Sequence, residues 1–469
     1  MEERWIEKVP ERSEKYLVAR IGVSGLFGQF DYDICPFNDG KRKKLGGPPL
    51  MLIYGSNGSG KTTILKLLWH LLSPSRTSGH RTYIATIPFR RFSVTLGDGV
   101  EIVATKETGL VGNYSISVWK SGRSVVEQSY RYNMDEKEVR AVGEQSPGIQ
   151  VISDPDAPEN QQHFYYVDFG TAQVPPDKYL AYLAERDIRP FLLGDDRKMN
   201  VDDEVASYPR ARRVARDRPI TDIDPIAAEL ATAMHRTTDW LRQQVLSGAV
   251  AGSETADDIY RGVLTQISKV TEPTDVLDIG TLRERLSEID VRTRRFSEFG
   301  LVPHLDSKPL LALLKRVDSS RHVLVASILD PYLNGQIARL NSLQDTETLV
   351  RTFVNHLNNY FTKKSVTFTP GRGLEIRGPD NAVLLPIRLS SGERQLLLLL
   401  CNALLARPAT SLFLIDEPEI SLNAKWQRRL VQTLLDCVDT SSVQFIMATH
   451  SIEIITRHRQ YLTQLTEGD

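Results

Sequence analysis

Residues 55–62 read Gly-Ser-Asn-Gly-Ser-Gly-Lys-Thr, a complete G-x-x-x-x-G-K-T loop. Its companion motifs stand near the other end of the chain. They are Leu389-Ser-Ser-Gly-Glu-Arg-Gln395, then Leu412-Phe-Leu-Ile-Asp416-Glu417-Pro418-Glu419, then Ala448-Thr-His450. This order constrains the fold more than any single motif. A loop of this kind follows a buried strand and opens a helix, so that its N–H groups converge on phosphate. The Asp-Glu and His motifs each end an apolar run and belong to further strands of the same core. The chain therefore starts a nucleotide fold, builds something else, and returns to finish it, with 326 residues (63–388) in between.

At 469 residues the chain exceeds one ordinary core and suffices for two or three lobes. A hydrophobic share of 41% and a charged share of 25% are those of a globular protein. The net charge of −1 excludes a globally basic nucleic-acid binder but allows a local basic face. Cys35, Cys401 and Cys437 lack metal-ligand spacing, which fits a reduced, cytoplasmic protein. The start of the chain has no apolar signal core. The most apolar stretch, residues 396–406, is too short to span a bilayer, so no membrane partner is expected.

The periodicity predicts strands over 17–23 and through Phe30, Tyr32 and Ile34, then a buried strand over 50–54. The helix after the glycine-rich loop carries Ile64, Leu65, Leu68, Leu71 and Leu72 on one face. A meander follows, with Phe92, Val94 and Leu96, a Gly97-Asp-Gly99 turn, Val100 and Ile102, then Tyr114, Ile116 and Val118. Residues 136–162 read as irregular, and 191–193 as a short strand. Helical spacing runs from about 222 to 362: Ile226 to Val245 with Trp240 in its core, Leu282, Leu286 and Ile289 behind a Thr281/Glu284 capping box, and Leu349, Phe353 and Leu357. Strand patterning returns after 363, followed by a leucine-rich helix over 395–406 and strands over 412–415 and 443–447. The expected division is 1–135, 136–362 and 363–469: the first part of a split nucleotide-binding head, a helical insert, and the second part of the head.

The chemistry follows from the residue types. Gly55, Ser56, Asn57, Gly58, Ser59 and Gly60 bend the backbone so that N–H groups face phosphate, with Lys61, Thr62 and Thr63 at the helix start. Lys61 reaches the β/γ-phosphates, and Thr62 with Asp416 holds Mg²⁺. Glu417 is placed to polarise the attacking water, and His450 to bond the γ-phosphate and that water. Ser390, Ser391, Gly392 and Glu393 open a helix whose hydroxyls and N–H groups can meet an anion.

With these residues, and with Asp416-Glu-Pro-Glu-Ile-Ser-Leu-Asn423-Ala-Lys-Trp426-Gln, the chain resembles the ABC-type ATPases of the SMC/RecF/overcoming-lysogenisation-defect group. The resemblance covers roughly residues 15–120 and 365–460. It implies an α/β ABC-type P-loop NTPase head with an antiparallel β subdomain and a helical insert. It also implies a homodimer, or a higher oligomer built on it, with two ATP molecules sandwiched between heads, each site completed by Ser390 to Glu393 of the other copy. A Toprim nuclease domain of the overcoming-lysogenisation-defect kind is not expected, because only 19 residues follow His450. The expected output is conformational: head engagement gates a separately encoded effector such as a nuclease, as in stand-alone heads of anti-phage systems of the PARIS and Septu kind. The alternative is a RecF/SMC-like repair or recombination clamp on duplex DNA. A transporter motor, which needs a membrane partner, fits the long insert less well.

Several residues carry secondary readings. Gln128 is a candidate Q-loop glutamine, and Asn423 takes the D-loop position where relatives often carry Asp or His. Arg210, Arg212, Arg213, Arg216 and Arg218 could track phosphates or form a solvated loop. Lys41 to Lys44 read as a solvated loop. Asp154/Asp156 and Asp222/Asp224 read as turns or caps, and Asp195/Asp196 as the end of a structural strand.

Overall fold

The computed structural model describes residues 16–35, 49–76, 78–135, 137–142, 151–153, 164–166, 177–194, 199–200, 225–269, 279–407, 412–438 and 443–465. The Lys41 to Lys44 run, the arginine cluster at 210–218 and the aspartates at 154, 156, 195, 196, 222 and 224 lie outside the described residues. The strands are β1 (Val18–Leu26), β2 (Phe30–Ile34), β3 (Leu50–Tyr54), β4 (Arg91–Leu96), β5 (Glu101–Lys106), β6 (Tyr114–Lys120), β7 (Arg123–Asn133), β8 (Glu138–Ala141), β9 (Val151–Ser153), β10 (Phe164–Tyr166), β11 (Pro190–Leu193), β12 (Met199–Asn200), β13 (Ser365–Thr369), β14 (Gly373–Arg377), β15 (Val383–Leu384), β16 (Leu412–Asp416), β17 (Gln444–Thr449) and β18 (Leu462–Gln464). The α-helices are α1 (Lys61–Leu72), α2 (His80–Thr86), α3 (Lys178–Glu185), α4 (Pro225–Lys269), α5 (Ile279–Ser297), α6 (Lys308–Leu314), α7 (His322–Ser342), α8 (Gln344–Tyr360), α9 (Ser391–Ala406), α10 (Ala424–Val438) and α11 (Ile452–Arg457).

The chain packs as two compact units. The first is Met1–Arg218 with Ala406–Ile420 and Thr440–Asp469; the second is Pro219–Leu405 with Ser421–Asp439. These cuts differ from the boundaries at 136 and 363 that patterning suggests, and the reason lies in strand pairing. β11, within the stretch read as insert, pairs in parallel with β16 and so belongs to the core of the first unit. Residues 136–162, read as irregular, contain β8 and β9.

In the first unit the main sheet has the order β12-β11-β16-β17-β3-β18, parallel except for β12. Residues 50–53, 412–415 and 445–447 are fully buried, as continuous apolar runs in a parallel sheet must be. Asp416 pairs in register with Ala448, Ala448 with Ile53, and Thr449 with Tyr54. The ends of β16, β17 and β3 therefore lie side by side at the carboxyl edge of the sheet, where open α/β sheets place ligands. An antiparallel sheet, β2-β1-β4-β5-β6-β7-β8, packs against this one through a shared apolar core. The buried amide of Gln444 ties the two, accepting from Val18 N–H at 2.7 Å and donating to Val18 C=O at 2.9 Å.

Helix α1, which begins in the phosphate loop, is anchored at its far end by Arg81. The buried guanidinium donates to the carbonyls of His70 (2.9 Å) and Ser73 (3.0 Å) and lies over the Tyr179 ring. A cation on orphan carbonyls at a helix C-terminus suits the macrodipole. His70 and His80 meet Nδ1 to Nδ1 at 2.9 Å beside Trp69, and burial, aided by neighbouring His80 and Arg81, pushes the His70 pKa down to about 2.

The second unit joins α4–α8, the small sheet β13-β14-β15, α9 and α10. Leu282, Leu286 and Ile289 of α5, Leu349, Phe353 and Leu357 of α8, and Trp240 of α4 are buried at the spacing the sequence shows. Helix α5 begins at Ile279, so Thr281 lies inside it and does not cap it. The fully buried Glu347 carboxylate accepts from both Arg295 (2.8 and 2.6 Å) and Arg351 (2.5 Å), which compensates a charge that would otherwise be costly there.

Candidate functional site

Residues 55–60 leave the end of β3 and turn into α1. Gly60 has φ +85°, and a Cβ on it would sit 2.7 Å from Leu26 Cδ2, so glycine is required twice over. The Ile64 N–H closes the first helical turn on the Gly60 carbonyl at 2.9 Å. Lys61 is buried and folds back over the loop, donating to the carbonyls of Gly55 and Ser56 at 2.9 Å each. Burial lowers its pKa, against the pull of Glu417, Asp416 and Glu419 in the opposite direction. The Ser59 hydroxyl is buried with no hydrogen-bond partner among the described residues.

Two strands away, the buried Asp416 ends β16. Glu417 follows with φ +47°, an uncommon conformation for a side chain of this kind. Its N–H bonds the Ala448 carbonyl at 2.9 Å, extending the β16–β17 ladder by one rung, and the Ile420 N–H closes the turn on the Glu417 carbonyl. His450 leaves the end of β17, and its Nε2 stands 3.3 Å from Glu417 Oε1, with the two side chains 31% and 30% exposed. The strand leading to His450 thus lies between the phosphate-loop strand and the Asp-Glu strand. That strand order, with a Leu-Ser-Ser-Gly-Glu helix start elsewhere in the chain, decides the architecture. The fold is an ABC-type P-loop NTPase head. The antiparallel sheet is its β subdomain, and helices α4–α8 of the second unit are its helical insert.

In the second unit the Leu-Ser-Ser-Gly-Glu segment opens α9. Ser390 and Glu393 form a reciprocal capping box. The Ser390 N–H donates to Glu393 Oε2 at 2.7 Å, and the Glu393 N–H donates to Ser390 Oγ at 3.3 Å. Lys364 donates to the same carboxylate at 2.7 Å, and these partners hold the Glu393 pKa down against its burial. Glu393, grouped with the anion-binding residues by sequence, therefore has its carboxylate engaged in shaping the turn. A Cβ on Gly392 would lie 2.6 Å from the Ser421 carbonyl oxygen, so the signature glycine lets the D-loop approach. Asn423 caps α10, its Oδ1 accepting from the Trp426 N–H at 3.0 Å.

Three residues escape motif reading. Phe27, at the tip between β1 and β2, has φ +54°, is exposed, and its ring edge lies 3.4 Å from where a Gly60 Cβ would sit. Glu419, within the Asp-Glu motif, bonds the His450 turn, and Lys364 holds Glu393. Phe27 and Lys364 stand outside every motif, and the motif that contains Glu419 gives it no role, since each acts through tertiary proximity. Gln128 is not a Q-loop residue: it lies in β7, and its amide joins the carbonyls of Ser129 and Val142 to the Lys178 N–H. Its alternation with polar neighbours gave no sign of this.

Residues 251–456 match the family model described as "AAA domain, putative AbiEii toxin, Type IV TA system". Over 223 residues, 40% of the chain, it is 26% identical to a "Putative ABC transporter ATP-binding protein" of Methanosarcina mazei. Over 83 residues, 18% of the chain, it is 36% identical to the "Molybdenum import ATP-binding protein ModC" of Vibrio parahaemolyticus. The chain spans 43% and 22% of the lengths of these two relatives. Among solved structures, the Smc head domain of Pyrococcus furiosus bound to the C-terminal domain of ScpA aligns at 14% identity and a TM-score of 0.38, covering 97% of this chain and 94% of that one. Among the described residues, no helix is long and apolar enough to cross a membrane.

Proposed function

We propose that the protein hydrolyses ATP and that two copies engage head to head to do so. The observation that carries this reading is the convergence of Lys61, Asp416, Glu417 and His450 at one sheet edge, from three adjacent strands. The site fits a nucleotide: the Ser59 hydroxyl is buried without a partner among the described residues, and the position of a Gly58 Cβ faces open space. Thr62 and Asp416 would hold Mg²⁺, which neutralises charge on the phosphate oxygens.

Within this frame each residue has one task. The loop N–H groups and Lys61 bind the phosphates. Glu417 takes the proton of the attacking water while the water oxygen bonds the γ-phosphorus and the bridging oxygen leaves with ADP. His450, beside Glu417, orients that water. Phe27 offers a ring face to the base. Ser390, Ser391 and Gly392 bind the γ-phosphate held by the other copy, and Glu393 keeps their turn in shape. Exposed apolar side chains sit beside both motif groups: Phe27 and Ile452 in the first unit, and Val383, Leu385 and Ile387 just before the signature in the second. Such exposure supports an interface.

Engagement of the heads is then a conformational signal to a partner protein. The match to a family described as "AAA domain, putative AbiEii toxin, Type IV TA system" supports the ATPase domain, and the effector and its role in defence are part of the proposal. The transporter relatives support the nucleotide chemistry. Glu417→Gln tests the assignment: turnover falls at least about a hundredfold while ATP binding persists. Unchanged turnover in that variant would refute it.

A further inference from the structure

Glu419 lies two residues beyond Glu417, in the same turn, and its carboxylate faces the corner where β17 gives way to α11. One oxygen, Oε1, accepts three hydrogen bonds: from Thr449 Oγ1 at 2.8 Å, from the His450 N–H at 2.6 Å and from the Ser451 N–H at 3.0 Å. Two consecutive main-chain N–H groups aimed at one carboxylate oxygen make a charge-assisted clamp. Capping of α11 does not account for it, because that cap is Ser451, whose hydroxyl accepts from the Ile454 N–H. The two turns are zipped together twice, by the Glu417 N–H on the Ala448 carbonyl and by Glu419 on the His450 corner.

We propose that Glu419 is a positioning residue that sets where His450 stands relative to Glu417. The proposal rests on the ATPase reading above. The Glu417 backbone occupies a strained left-handed conformation, and the His450 side chain is partly exposed, so neither turn is fixed by packing alone. Without the clamp the corner at 449–451 relaxes, and the 3.3 Å spacing between His450 Nε2 and Glu417 Oε1 is lost. A shift of this size changes chemistry far more than binding. The phosphates are held by the loop of β3 and α1, which Glu419 does not touch through any of these bonds.

The test measures ATP turnover and ATP affinity of the full chain with Glu419→Ala and Glu419→Gln, alone and combined with His450→Ala. Glu419→Ala is expected to lower kcat at least about tenfold with KM within about twofold of the parent. Glu419→Gln, whose amide oxygen still accepts from the corner, is expected to recover part of that loss. In the His450→Ala background, Glu419→Ala is expected to have little further effect, since both changes remove one device. Full turnover in Glu419→Ala, or losses that multiply in the double variant, would overturn the proposal. If Glu419→Ala does not fold, Glu419→Leu, which keeps bulk but has no acceptor, takes its place, and parental kcat with parental thermal stability in that variant would overturn the proposal equally. A parent protein that binds ATP without turning it over would remove the ATPase reading itself, and the positioning role with it.

Discussion

The phosphate-loop region of the first unit and the signature region of the second are built by opposite means. In the first, every reactive side chain comes from a strand end or from the loop beside it, and the strands are buried and fully paired. Position there is set mainly by the sheet, with Glu419 tying down the His450 corner: Asp416, Ala448 and Ile53 share one register line, and Lys61 is pinned by two carbonyls. In the second, the shape of the segment rests on a few side-chain bonds near the surface, namely Ser390 with Glu393 and Glu393 with Lys364. The first region holds its geometry by itself. The second presents a helix start and an exposed apolar strip, and in the proposed function its task is to meet the phosphate held by a second copy.

Substitutions can break this contrast. Arg81→Met leaves buried carbonyls at the end of α1 without their donor and is expected to cost about 3–5 kcal/mol. Lys364→Ala removes a partly exposed ion pair and is expected to cost about 1 kcal/mol or less. Chemical denaturation of the two variants checks this; equal costs would mean the signature turn is as deeply fixed as the phosphate-loop helix.

Acid sharpens it further. Burial, its largest cause, holds His70 down to about 2, and burial also lowers His458; both are in the first unit. An unfolded histidine takes a proton below pH 6.5 while the folded His70 does not, so stability is full above that pH and falls as pH drops below it. At pH 5 the loss from His70 is about 2 kcal/mol. In the second unit Glu393 has its pKa lowered, so its contribution is kept until pH falls through the lower carboxylate range. Thermal melts from pH 7.5 to 5 are expected to show the first unit weakening ahead of the second, and His70→Phe to flatten that slope.

Much of the first region was legible in the sequence. The motifs lie where buried runs end, and each such run is a strand. The helix start at Ser390 to Glu393 was equally visible, though the part Glu393 plays was not: its carboxylate turns inward to its own helix start. What stayed hidden depends on pairing over long separations. Residues 191–193 read as a strand, yet nothing local assigns β11 to the parallel sheet beside β16, and β18, which joins β3 at the edge, is too short for periodicity to mark. Glu419 looked like part of a motif, and only the meeting of β16 with β17 shows what it holds. Thr281 and Glu284 mimic a capping box inside a helix that had already begun.

The central claim is that the two regions act across two copies. Mixing a Lys61→Ala variant with a Ser391→Arg variant, each inactive alone, tests it most directly. Two intact half-sites then meet in one face of a mixed dimer, and ATP turnover is expected to return to about a quarter of the parental rate, half of the dimers being mixed and each carrying one competent site. Turnover that stays at the level of the separate variants would contradict the account.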